Sequence, residues 1–168
     1  MKKGLKLAVV LSTVLVSGCL YSFRAGSFPP PYIKTIAIEP FDNETTRFEL
    51  TDELYQQLLR NLPGALGIRT AGADLADAVV KGTIVRYDVA APNYRATASG
   101  QPEVLQRQVT ISVKVQIIDQ VNNVVLWEDT GVAAQGQFAD ATQTEDVGRT
   151  EAIKNLVQKI VDGAQSNW

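Results

Sequence analysis

Histidine is absent from this 168-residue chain, and cysteine and methionine occur once each. Without histidine the commonest general base and the commonest metal ligand are gone. One cysteine allows no disulfide within the chain, and zinc sites or Cys/His catalysis would need residues that are not there. The fold has to stand on its apolar core. A Gly-rich phosphate loop is missing too: "GVAAQGQ", residues 131–137, has neither the spacing nor the following lysine. Carboxylate pairs exist, but Glu128 and Asp129 are adjacent in a strand-like stretch and would point to opposite faces. Glu145 and Asp146 open a helical stretch, where acids suit the macrodipole. No constellation supports an enzyme, and no cofactor is implied. A run long enough to cross a bilayer is also lacking, because the longest apolar stretch, Leu5 to Val16, is a dozen residues where roughly 20 are needed.

That stretch has a different meaning. Lys2, Lys3 and Lys6 make a basic start to it and the small residues Ser17 and Gly18 follow, which is the three-part plan of a secretory signal peptide. Its ending, Val16-Ser17-Gly18-Cys19, is not the usual A-x-A type and resembles the bacterial lipobox. The resemblance implies cleavage before Cys19, a diacylglyceryl thioether on its sulfur and an acylated amino group. Leu20 is not the aspartate associated with inner-membrane retention, which favours the periplasmic side of the outer membrane. Each buried methylene contributes about 0.8 kcal/mol, so two or three chains on Cys19 would hold the protein at a membrane for long times. Removing residues 1–18 takes three lysines away and moves the formal charge from −2 to near −5. A mildly acidic exported domain is a poor partner for nucleic acid.

The remaining chain is long enough for one domain with a real core. Residues 19–32 read as a lipidated N-terminus and tether, with Pro29, Pro30 and Pro31 favouring an extended polyproline spacer. Residues 33–168 read as a single domain. "IKTIAIEPF", Ile33 to Phe41, is a buried strand ended by Pro40. Thr46 and Glu49 have capping-box spacing, and Leu50, Leu54, Leu58 and Leu62 mark one face of the helix behind them, stopped by Pro63-Gly64. A second strand is expected near Ala78 to Val89. Strict alternation places Val79, Thr83, Val85, Tyr87 and Val89 on one side, and Gly82, Ile84, Arg86 and Asp88 on the other. "PNYRATASGQP" reads as a polar connection. In the third strand Val109, Ile111, Val113, Val115 and Ile117 alternate with Gln108, Thr110, Ser112, Lys114 and Gln116, which predicts one buried face and one wet face. Asn122-Asn123 suits a turn into a fourth strand reaching about Gln135. Thr142 and Glu145 repeat the capping-box spacing. Ile153, Leu156, Val157, Ile160 and Ala164 stripe the last helix, with Lys154 and Lys159 off the stripe.

The order strand-helix-strand-strand-strand-helix predicts an α+β two-layer sandwich, with two helices on one face of a mainly antiparallel four-stranded sheet. These segments, the lipobox cysteine followed by "YSF", then "FPPPYIKTIAIEPFDN", "VVKGTIVRYDVAA", "RQVTISVKVQIID…VLWED" and the terminal "NW", together resemble the LptE family of lipopolysaccharide-assembly lipoproteins. The resemblance implies a plug inside an LptD-type outer-membrane β-barrel, which helps that barrel assemble and deliver lipopolysaccharide to the outer leaflet. The wet face of the third strand suits the polar interior of a large barrel. Lipid A carries phosphates, so any contact with lipopolysaccharide would run through the few cations near the sheet: Arg86 and Lys114 on strands, Arg95 in the connection and Arg107 at the start of the third strand. "TIAIEPFDN" is also similar to the first strand of TolB-like and CsgG-like periplasmic domains. That alternative implies an envelope scaffold or secretion-associated lipoprotein without lipopolysaccharide contact.

Overall fold

The computed structural model describes residues 28–96 and 102–166, so the leader and Cys19 lie outside the described residues. The elements are β1 (Thr35–Ile38), β2 (Asp42–Asn43), α1 (Glu49–Leu66), β3 (Arg69–Thr70), β4 (Ala78–Ala96), β5 (Pro102–Asp119), β6 (Val124–Ala139) and α2 (Glu145–Ser166). The sheet order is β3-β1-β4-β5-β6, with β2 beside β4. β4, β5 and β6 form the expected antiparallel meander. β1 runs parallel to β4 and β3, and β2 parallel to β4, because α1 carries the chain back before the next strand begins. Two helices on one face of a mixed, largely antiparallel sheet is the α+β sandwich predicted above. The short β2 and β3 are additions to its four expected strands.

The core joins the two helical stripes to the sheet. Leu50, Leu54, Leu58 and Leu62 of α1, and Ile153, Leu156, Val157, Ile160 and Ala164 of α2, are buried with Val109, Ile111, Val113, Val115 and Ile117 of β5. α1 does not stop at Pro63-Gly64 as expected but runs through Pro63 to Leu66 and ends on Gly67, whose φ of 67° is left-handed. A proline inside a helix costs about 3 kcal/mol, and burying one more leucine at the same four-residue spacing offsets a comparable amount. Ile68 N–H closes the end by donating to Pro63 O at 3.0 Å.

Neither expected capping box forms. Phe48 is the N-cap of α1 and its side chain caps nothing. The preceding turn is organised by Asn43 instead: its Oδ1 accepts from Thr45 N–H (2.9 Å) and its Nδ2 donates to Arg47 O (2.8 Å). At α2, Thr142 and Gln143 N–H both return to Ala139 O. The helix therefore starts at Glu145 itself, and that carboxylate is free to serve other partners.

Strict alternation fails in β4. The pairing with β5 slips between Ile84 and Arg86, a bulge at Val85 that shifts the side-chain phase by one residue. Val80 and Ile84 therefore face the helices before the bulge, while Tyr87 and Val89 do so after it, opposite Ile111 and Val109. Val79 goes to the other face, into a small cluster with Ala37 and Ala76. Both β4 and β5 also run further than expected, to Ala96 and from Pro102, so most of the supposed connection is strand. β6 likewise continues past Gln135 to Ala139.

α2 lies directly on β6. A Cβ on Gly136 would strike the Gly148 carbonyl and come within 2.5 Å of Ala152 N, and one on Gly148 would come within 2.7 Å of Phe138 Cδ1. This approach lets α2 reach the free edge of β6. Gln137 N–H donates to Glu151 Oε2 at 2.8 Å, Asn155 Nδ2 donates to Gln135 O at 2.8 Å and Lys159 Nζ donates to Ala133 O at 2.7 Å. Four helical residues rise about 6 Å and two strand residues about 6.7 Å, so the two spacings keep step over three contacts. Lys159, expected to be a bystander, thus seals an exposed sheet edge.

The start of the domain is pinned by two carboxylates. The prolines do not extend as a spacer: Ile33 N–H turns back to Pro30 O at 2.9 Å, and Phe28 packs on the core. Asp77 Oδ2 accepts from Lys34 N–H (2.8 Å), Thr35 N–H (2.9 Å) and Thr35 Oγ1 (2.9 Å). The Lys34 N–H, with the Thr35 hydroxyl next in weight, lowers the Asp77 pKa. Asp119 is fully buried. Tyr32 OH donates to its Oδ2 at 2.6 Å, and Val121 and Asn122 N–H donate to its Oδ1 at 2.7 and 3.1 Å. Burial raises the Asp119 pKa, but the hydrogen bonds from Tyr32, Asn122 and Val121 outweigh it and the net shift is downward.

Leu156→Ala should destabilise the fold by about 2–5 kcal/mol, and exposed Lys154→Ala by less than about 0.5 kcal/mol, in urea titrations. Equal small effects would show that α2 does not pack as described. Because Asp77 and Asp119 have folded pKa values below the unfolded value of about 3.9, their contribution is complete above that pH and is lost as pH falls below it. Asp77→Asn should therefore lower the urea midpoint at neutral pH and flatten the loss of stability below about pH 4. A variant with the wild-type acid profile would contradict this account.

Candidate docking face

The open face of the sheet is built by the polar half of the β5 alternation and its neighbours in register. Asp88 and Gln135 flank Thr110, Arg86 and Ala133 flank Ser112, Thr83 lies beside Lys114, and Lys81 and Glu128 flank Gln116. Among the described residues no helix covers this face, since the buried positions of α1 and α2 all belong to the core on the other side. A cleft of about 240 Å³ on it is lined by Lys81, Lys114 and Gln116 on one hand and Asp42, Glu128 and Asp129 on the other. Lys81 is paired with Glu39 at 3.2 Å. The surface is a mosaic of both charges with many neutral donors and acceptors. Such a surface suits contact with another polar surface better than capture of a small apolar ligand.

The four cations singled out from the sequence are not gathered in one place. Arg86 and Lys114 share the open face, since Arg86 lies opposite Ser112, two residues from Lys114 along β5. Arg86 is ion-paired with Asp88 of its own strand. Lys114 is exposed and has no ion pair among the described residues. Arg107 lies opposite Phe138, in phase with Val109 and so on the helix face, and is paired with Asp140. Arg95 belongs to β4, not to a connection, and lies opposite Glu103. A bulge and an extended hairpin account for the difference: they move Arg95 along a strand and place Arg107 across the sheet from Arg86.

Sequence reasoning missed a second charged cluster, where the N-termini of the two helices meet β4. Glu145 Oε1 accepts from Tyr87 OH at 2.7 Å and from Arg47 Nη2 at 2.5 Å, and Arg47 lies 5.3 Å from the centroid of the Tyr87 ring. Arg149, only 12% exposed in its side chain, grips Glu53 with both Nε (2.9 Å) and Nη2 (3.0 Å) and reaches Asp146 at 2.9 Å. The two bonds to Glu53 raise the Arg149 pKa against the opposing effect of burial. Burial first, and then the bond to Glu145, raise the Tyr87 pKa. A planar fork matched to a carboxylate ties α1 to α2 more rigidly than a lysine could. The cluster satisfies its own charges, so it braces the helices and leaves the open face as the candidate for docking. The available signal in the sequence was the pair of acids opening α2, which pointed only to the macrodipole.

A family model described as LptE, lipopolysaccharide-assembly, matches residues 33–163. No curated protein matches the chain. Among solved structures, uncharacterized lipoprotein B of Nitrosomonas europaea is similar with a TM-score of 0.51 at 16% identity, covering 80% of this chain and 83% of that one. A hypothetical protein of Chlamydia trachomatis gives a TM-score of 0.51 at 12% identity, covering 80% of this chain and 99% of that one. A minor lipoprotein of Acinetobacter baumannii gives 0.49 at 16% identity, covering 80% and 93%. At these identities the two structures with a TM-score of 0.51 speak for the fold alone. The family match spans the domain from the strand before α1 to the last turns of α2, and by it the chain belongs to the LptE family, whose members are assembly proteins and not enzymes.

Proposed function

We propose that this chain is exported, lipidated at Cys19 and held on the periplasmic side of the outer membrane. There it plugs an LptD-type β-barrel, helps that barrel assemble and serves the delivery of lipopolysaccharide to the outer leaflet. The observation that carries the reading is the family match over residues 33–163. The uncovered polar face supports it physically, because the lumen of a large barrel is itself polar. A plug with an apolar outer face would bury nothing against such a wall. The residues proposed for contact with lipopolysaccharide remain Arg86, Arg95, Arg107 and Lys114. Lys114 is the most available, since Asp88 and Asp140 already hold Arg86 and Arg107. Exposed pairs of this kind are weak, each worth about 0–1 kcal/mol, and a phosphate can displace them.

Photo-crosslinkers at Ser112 and Lys114 should capture a large outer-membrane barrel protein in intact cells. Soluble periplasmic partners alone would overturn the plug reading in favour of the scaffold of TolB-like or CsgG-like type. Arg86→Glu with Lys114→Glu should weaken binding to purified lipopolysaccharide severalfold at low salt and leave the thermal melt unchanged. Unchanged binding by the folded double variant would remove both residues from the site.

A further inference from the structure

α2 guards only half of the free edge of β6. Its edge-reaching residues Glu151, Asn155 and Lys159 step by four and meet β6 at Gln137, Gln135 and Ala133. The next step is Gly163, which has no side chain to send. The space is already taken, since a Cβ there would come within 2.6 Å of Trp127 Cζ2, and Trp127 is buried in the core. From Val124 to Thr130, β6 has β5 on one side and, among the described residues, no strand on the other. Phase along β5 tells which backbone groups are bare. Ala133, Gln135 and Gln137 turn theirs outward and lie opposite Ser112, Thr110 and Gln108. The extra residue of the following bulge lies in β6, so β5 keeps its phase as far as Gln116. Glu128, opposite Gln116, therefore also turns its N–H and C=O away from β5, and no described residue meets them. The side chains of this stretch are acidic as well. Glu128 and Asp129 are exposed, and neither has an ion pair among the described residues. Val125, 52% exposed, lies opposite Ile118, which packs on the open-face cluster.

We infer that the bare half of this edge receives an extended, basic segment of the barrel protein as an additional strand. The inference deepens the plug reading and rests on it. An edge rich in β-branched residues, neither covered nor interrupted by lysine or proline, is a template for another strand. Inside a lumen the sources of such a strand are few. The wall strands of a closed barrel are paired on both sides, so the segment is a loop or terminal arm that reaches inward. Its charge follows from Glu128 and Asp129: a lysine or arginine across from Glu128 finds a partner, and an acid there is repelled. The same charges oppose a second copy of this chain, because antiparallel self-pairing about this stretch would set the acids of both copies against each other. Val125 gives the added strand an apolar neighbour on the face that carries Glu128. Bulges in β6 on either side of Trp127–Asp129 keep the pairing short, a few main-chain bonds beside the wider polar contact of the open face.

The test compares hydrogen exchange, read by mass spectrometry, in the mature acylated chain alone and in its purified complex with the barrel protein. Peptides covering Val124–Thr130 should exchange about tenfold more slowly in the complex, the size expected when a backbone hydrogen bond is newly made. Peptides covering Ala133–Gln137, already held by α2, should change little. Glu128→Pro removes only an outward N–H that the β5 ladder does not use and should abolish the slowing. Glu128→Lys keeps every backbone group and should reduce the slowing severalfold by charge alone, with the melt of the free chain unchanged. A photo-crosslinker at Val125 should capture a segment of the barrel protein that contains lysine or arginine. A complex that forms with no slowing at Val124–Thr130, or with slowing that survives both substitutions, overturns the inference while the plug reading stands. Slowing in the chain alone that grows with its concentration assigns the edge to a second copy and overturns the inference too. A chain that brings no barrel protein with it overturns the plug reading and the inference together.

Discussion

The helix α2 can serve the sheet only because its backbone touches that of β6. The glycines at 136 and 148 remove the two side chains that would hold helix and strand apart. From that approach follow two consequences. The stripe from Ile153 to Ala164 reaches the β5 valines and isoleucines, completing a core shared with α1. The polar residues Glu151, Asn155 and Lys159 reach over the edge of β6 and occupy backbone groups that would otherwise invite another strand. A single contact thus closes the core and guards the edge.

With both helices committed to one face, the other face of the sheet is left to be polar. A two-layer sandwich has a bare side by construction, and here that side carries short neutral side chains interspersed with both signs of charge. The near balance matters for a domain of net negative charge. A field of one sign would steer anions away or hold them indiscriminately. A mosaic presents cations such as Lys114 singly, within a surface able to hydrogen-bond along its length. The self-satisfied cluster of Arg47, Tyr87, Glu145 and Arg149 has the opposite character: its charges are spent on holding α1 to α2, and it leaves little for a ligand.

The two ends of the molecule differ in the same way. At the end where the chain enters, Asp77 and Asp119 gather N–H and hydroxyl donors from three segments, and apolar residues are displayed outward. At the other end the helix N-termini meet over Tyr87 and Glu145, and β4 and β5 extend as a hairpin. A lipoprotein held at its entry end and docked through its sheet would need this polarity, since anchor and docking surface must not compete for the same residues.

Periodicity made much of this legible beforehand. The β5 alternation named its buried and wet faces residue by residue, and the leucine and isoleucine stripes named the buried faces of α1 and α2, because a 2.0 or 3.6 period is a local property of backbone geometry. The lone Cys19 after a basic and apolar leader named the expected anchor for an equally local reason. What only the tertiary structure decided depends on contacts distant in sequence. The bulge at Val85 sets which side of β4 is buried, and it is defined only against β5. The persistence of α1 past Pro63 follows from the burial of Leu66 in a core the local sequence does not contain. The Asn43 turn displaced one capping box, and the Ala139 turn with the pull of Arg47 and Tyr87 on Glu145 displaced the other. The scatter of Arg86, Arg95, Arg107 and Lys114 over the sheet came from register, and register is a relation between strands that no single strand's sequence carries.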